Sequence, residues 1–204
     1  MSLYACAARD EVLLQMPQAR TLTPRELRRV LDHVAARKHA PRNRLMLLLT
    51  HWAGMRVGEV AALRVQDVRE NTGGVRPEIR LRAEQTKGHH ARVVFVGERL
   101  RKEIASYLKT LPVDANDTTP LFGTQKRAAF SANTLCQSLN GIYKRAGLDG
   151  ATSHSGRRSF ITTLASKGVG VRVLASLAGH RSIATTQRYI DVNDEMKRNA
   201  VELV

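Results

Sequence analysis

The sequence predicts an α+β fold that is mainly helical, with one small antiparallel sheet set early in the chain. Three observations carry that prediction. Apolar residues recur at helical spacing through most of the 204 residues, and residues that start and stop helices bracket those stretches. Two neighbouring runs, "EIRLRA" at 78–83 and "ARVVFV" at 91–96, are rich in β-formers instead.

Taken in order, residues 1–20 show no periodicity and read as a tail or interdomain linker, leaving 21–204 as one domain. "TPRE" at 23–26 starts a helix: Thr23 is the N-cap, Pro24 takes the first helical position, and Glu26 closes a capping box. Leu27, Val30, Leu31 and Val34 then give it one apolar face. A second helix spans 42–53 and stops at Gly54. Arg56 opens a third, whose Val57, Val60, Ala61 and Leu63 form a stripe. "VQDV" at 65–68 is a candidate third strand. "EQTKGHH" joins the two main strands as a hairpin connection with Gly88 at its bend. Helical spacing resumes from 98 with Leu100, Ile104 and Leu108, followed by a loop at 112–120. Ser131 caps a helix carrying Leu135, Leu139 and Ile142, ended by Gly147. Phe160, Ile161, Leu164 and Ala165 line the next, ended by Gly168. Val171, Leu174 and Leu177 line another, ended by Gly179. The last helix begins near Ser182 and contains Tyr189.

Composition narrows the function classes. The longest apolar run, "LMLLLTHWAG" at 45–54, is too short to span a bilayer, so no membrane association is expected. Acidic residues interrupt the first fifteen positions, so these are not expected to act as a secretion signal. Cys6 and Cys136 form neither a disulfide framework nor a metal spacing, which points to a reducing cytoplasm. The histidines have no metal-binding arrangement, and His89 and His90 are turn neighbours ill placed for joint ligation. Charge is more informative: 33 Lys and Arg against 18 Asp and Glu leave +15, an excess that points to a polyanion. A ribosomal or simply basic protein shares this composition. Aromatics at 4% are too few for single-strand stacking platforms, so contacts to duplex phosphates fit better.

Singly, the polar residues have ordinary explanations. Arg56 could be a surface charge, Lys87 a solvated turn lysine, His180 a helix-end residue and Tyr189 a core tyrosine. The set is another matter. "AGMRVGEVAAL" at 53–63, "TKGHHARVVFV" at 86–96, "HSGRRSFITTLASKG" at 154–168 and "LAGHRSIATTQRYID" at 177–191 follow one another in an order that resembles the catalytic domain of the tyrosine recombinases, the phage-integrase family, in its Xer-like branch. The resemblance covers about residues 20–195.

The resemblance implies the tyrosine recombinase catalytic-domain fold and a site-specific recombinase that cleaves and rejoins double-stranded DNA through a covalent 3′-phosphotyrosyl bond. It assigns Arg56 and Arg157 to a phosphate clamp, with His180 as a third donor, and it makes Tyr189 the nucleophile. His154 is the family's candidate for the phenol proton, and Lys87 for the acid that protonates the leaving 5′-oxygen. Glu59 matches an acidic position that supports the site, a structural role there being equally open. The chemistry suits these residue types. Metal-free phosphodiester cleavage must stabilise added charge at phosphorus, and a guanidinium stays charged while donating paired hydrogen bonds. No cofactor and no metal are implied. Arg158, next to Arg157 on a helix, is expected to point elsewhere, as a DNA-backbone or structural contact.

The pattern departs from the family at both ends. Most members carry an N-terminal helical domain that closes a clamp around DNA, and the first twenty residues do not supply it. The chain is therefore expected to be either a piece of a longer recombinase or one of the short recombinases that resemble fimbrial-inversion enzymes. The tail "DEMKRNAVELV" is amphipathic through Met196, Ala200, Val201 and Leu203. In the family such tails couple protomers of a homo-tetramer on DNA, although packing on its own domain and a monomer in isolation stay open. Two further functions also stay open: a type IB topoisomerase-like relaxing activity, and a DNA-binding regulator that no longer cleaves.

Overall fold

Thr23 and Glu26 do cap the first helix, α1 (Pro24–Ala35): the Glu26 N–H donates to Thr23 Oγ1 at 3.2 Å, and the Glu26 carboxylate accepts from the Thr23 N–H at 2.9 Å. The computed structural model describes residues 19–86, 88–124, 128–190, 197–198 and 201–202. α1 buries Val30, Leu31 and Val34 against α2 (Ala40–Trp52). Leu45 through Leu49 of α2 are all essentially inaccessible, as expected of a helix apolar on every side. α2 is therefore the core of the molecule, with α1, α5 (Glu98–Leu108) and α7 (Ser155–Ser166) packed around it. α6 (Ala132–Arg145), capped by Ser131, buries Leu135, Leu139 and Ile142 and packs on α3 (Val57–Ala61).

Among the described residues the sheet has two strands, β1 (Glu78–Leu81) and β2 (Arg92–Phe95), antiparallel with Ile79 opposite Val94 and Leu81 opposite Arg92. The fold class expected from sequence is thus observed. Both strands are shorter than expected, and β1 ends early because Ala83–Gln85 turn into a short 3-10 segment where Gln85 accepts from the Arg82 N–H. In the turn beyond, the left-handed residue is His89 (φ 51°) rather than Gly88.

Two expectations about elements need correction. "VQDV" is a single helical turn, α4 (Val65–Val68), and not a strand. Val65 and Val68 are both buried, a spacing of three that a turn satisfies and alternation does not, while the Asp67 carboxylate accepts from the Arg64 N–H at 2.9 Å. The helix expected from about Ser182, α9 (Ile183–Gln187), ends before Tyr189. Tyr189 lies in the turn beyond, its N–H bonded to Thr186 O at 2.9 Å in the tighter i→i−3 pattern common at helix ends. Between them, α7 buries Ile161 and Ala165, and α8 (Val171–Ala178) buries Leu174, Ala175 and Ala178. Phe160, Leu164, Val171 and Leu177, expected on those apolar faces, are half-buried. Of the tail, Met196, Ala200 and Leu203 lie outside the described residues, and Val201 is exposed.

Candidate active site

Arg56 stands immediately before α3, and its own helix orients it. Glu59, three residues on, accepts from the Arg56 N–H at 2.8 Å and from its Nη1 at 3.0 Å. Glu59 is only 1% exposed. Burial pushes its carboxyl up, yet the hydrogen bonds and charge of Arg92, with those of Arg56, outweigh that and hold it below the usual carboxylate range. It is an anion at neutral pH, and that makes it an anchor for cations.

α7 delivers the second arginine from the opening turn of the helix. Gly156 makes the delivery possible: a Cβ there would lie 2.8 Å from Thr50 Cβ and 3.0 Å from His51 Cδ2, so only glycine lets α7 lie this close to α2. Arg157 is consequently buried, donating to Gly54 O at 2.6 Å and to Ala178 O. Burial, then the charges of Arg56 and Arg92, lower it to about 9, which still leaves it protonated at neutral pH.

The end of α8 gathers these side chains. The helix closes in a Schellman motif at Gly179 (φ 61°), in which the Gly179 N–H bonds Ser176 O and the His180 N–H bonds Ala175 O. The next three carbonyls each accept from a different arginine: Leu177 O from Arg92 at 2.9 Å, Ala178 O from Arg157, and Gly179 O from Arg56 at 2.9 Å. The negative end of a helix dipole thus meets three guanidinium groups supplied from far along the chain.

His180 Nδ1 lies 2.8 Å from Thr186 Oγ1. Burial, then Arg157, Arg56 and Arg92, depress the imidazole to about 4, so it is neutral at neutral pH and can offer a hydrogen bond but no charge. Its ring stacks on Tyr189, centroids 5.8 Å apart and planes at 19°. Arg158 covers the same tyrosine, its guanidinium 5.6 Å from the ring centroid. The expectation that Arg158 points elsewhere is therefore wrong. Neighbouring helical residues diverge by about 100°, but a side chain this long, on the first turn of α7, reaches over the rim of the cleft.

Arg56, His154, Arg157, Arg158, His180 and Tyr189 line one cleft of about 800 Å³. His154, at the N-cap of α7, is exposed there. Five of the six residues singled out in the sequence are thus brought together. The sixth, Lys87, lies outside the described residues. Sequence reasoning missed Arg92. A signal was available: Arg92 shares a strand face with buried Val94, and a cation on a core-facing position needs a partner.

Residues 20–196 match the phage integrase family. A tyrosine recombinase XerA from Pyrococcus horikoshii is 33% identical over 165 residues, which cover 79% of this chain and 54% of that protein. A tyrosine recombinase XerC from Rhodospirillum centenum is 32% identical over 193 residues, covering 90% and 54%. The chain spans about half the length of these curated relatives. Among solved structures, a XerA recombinase superposes with a TM-score of 0.71 at 28% identity, over 90% of this chain and 64% of that one. A XerH site-specific recombinase bound to a palindromic difH substrate, in a post-cleavage complex, gives 0.65 at 25% identity over 89% and 51%. The catalytic domain of bacteriophage HP1 integrase shares the fold, with a TM-score of 0.64 over 91% of this chain and 95% of that domain.

Proposed function

Because the chain belongs to the phage integrase family, we propose that it is the catalytic domain, residues 21–204, of a site-specific recombinase that cuts and rejoins duplex DNA through Tyr189. The observation that carries this reading is the convergence of Arg56, Arg157, His180 and Tyr189 on one cleft from separate segments of the chain. In the proposed reaction the Tyr189 oxygen attacks the scissile phosphorus, and its proton passes to His154. The bond to the 5′-oxygen breaks, and Lys87 protonates that leaving oxygen. Arg56 and Arg157 neutralise the charge that builds on the non-bridging oxygens, and His180 adds a neutral donor. Each such preorganised donor contributes on the order of 3 kcal/mol. The phosphotyrosyl bond keeps the energy of the broken link, so rejoining by a 5′-hydroxyl needs no external energy source and no cofactor. Assembly as a homo-tetramer on DNA in the cytoplasm belongs to the same proposal.

The test uses a nicked duplex selected from a random pool by covalent capture on the unsubstituted chain. Tyr189→Phe is expected to bind that duplex with unchanged affinity and to form no adduct on a denaturing gel. An adduct formed by Tyr189→Phe removes Tyr189 from the nucleophile role.

A further inference from the structure

We infer that Arg92, which makes no part of the clamp assigned above, is the positioning residue that holds the clamp in register with the segment bearing His180 and Tyr189. The inference rests on the phosphate-clamp reading and extends it to a residue outside the reacting groups.

The geometry is that of a buried connector. Arg92 Nε and Nη2 form a two-pronged bond to the Glu59 carboxylate at 3.0 and 2.6 Å, and its Nη1 reaches Leu177 O at 2.9 Å. Its side chain is 10% exposed and that of Glu59 1%. One guanidinium thereby ties three parts of the chain together: β2, the start of α3 and the end of α8. Through Glu59 it acts on Arg56, because the oxygen that receives Arg92 Nε also receives Arg56 Nη1. Through Leu177 it fixes the carbonyl immediately before those held by Arg157 and Arg56.

Gly179 makes room for this connector. A Cβ at that position would stand 2.6 Å from Arg92 Cδ, and the left-handed backbone there (φ 61°) favours glycine independently. The pairing is also one that cannot be halved cheaply. Removing one partner of a buried ion pair leaves the other charged and unsatisfied. Without Arg92, the Glu59 carboxylate would draw Arg56 more closely onto itself. Its guanidinium would then be aimed at protein rather than at phosphate. Binding of duplex, spread over many surface cations, would be little changed. The loss would fall on the chemical step.

The experiment compares Arg92→Met, Arg92→Lys and Arg56→Ala in the full chain, on the captured nicked duplex and on the same duplex with a neutral methylphosphonate at the cut. At saturating duplex, Arg92→Met is expected to slow covalent capture on the phosphate at least about tenfold, with duplex affinity held within about threefold. The defect should shrink severalfold on the methylphosphonate, in parallel with that of Arg56→Ala, since a substrate with one charge fewer asks less of the clamp. Arg92→Lys keeps the charge without the fork and is expected to lie between; should Arg92→Met fail to fold, Arg92→Lys carries the same comparison. No loss, or an equal loss on both substrates, overturns the positioning role. If Arg56→Ala also loses equally on both, or if the unsubstituted chain captures no DNA, it is the clamp reading that falls.

Discussion

At the scale of the residue, the site is a problem in holding like charges together. Arg56, Arg92 and Arg157 crowd one another, and Glu59 with four main-chain carbonyls supplies the compensation. The same crowding, after burial, keeps His180 neutral. A second histidine is neutral for burial alone: His51 lies in the core of α2 with its Nε2 3.2 Å from Tyr143 Oη, and burial lowers it from 6.5 to about 4. In the unfolded chain His51 takes up a proton as pH falls through 6.5, whereas in the folded chain it resists protonation until about 4. Its contribution is therefore a loss of stability on acidification through that window, about 2 kcal/mol between pH 7 and pH 5. Urea unfolding of the native chain and of His51→Gln at the two pH values measures it. The variant is expected to lose about 2 kcal/mol less than the native chain, and parallel losses would contradict the assignment.

At the scale of the element, the distance between α2 and α7 decides where Arg157 goes. The fit of Gly156 against Thr50 and His51 leaves no space for a methyl group. Gly156→Ala gains up to about 1 kcal/mol of helix propensity and loses about 1–3 kcal/mol to overpacking. It is expected to be less stable by urea unfolding and to capture DNA more slowly, because α7 must move outward and carry Arg157 away from Gly54 O and Ala178 O. A variant as stable and as fast as the native chain would show that the contact relaxes freely. The starts of α1 and α6 and the stop of α8 were readable from Thr23, Ser131 and Gly179, since capping is local chemistry. The end of α9 was not, because whether the chain turns at Arg188 or continues depends on what Tyr189 packs against, here His180 and Arg158.

At the scale of the whole molecule, +15 on 204 residues makes counterion release the main expected driving force for duplex binding. Affinity for labelled duplex is expected to fall log-linearly with salt, with a slope of about −0.9 for each phosphate neutralised. Contacts of this kind carry little sequence information. Removing one clamp cation, as in Arg56→Ala, should flatten the slope by about one unit. A salt-independent affinity would overturn the electrostatic reading.

The sequence by itself determined the helical and strand periods, the cap residues, the net charge, the family, and the residue types of the site with their order along the chain. These are properties of local pattern, of the order of short motifs along the chain and of composition, and none of them depends on which distant residues meet. Only the tertiary structure decided that Arg92 belongs with Arg56 and Glu59, that Arg158 lies over Tyr189, and that "VQDV" winds into a turn. Leu177, Ala178 and Gly179 present carbonyls that every sequence has. Their meaning came from the three guanidinium groups that reach them from residues 21 to 123 positions away. A hydrogen bond to the main chain leaves no mark on the identity of the residue that accepts it, and so this part of the site was legible only once the chain had folded.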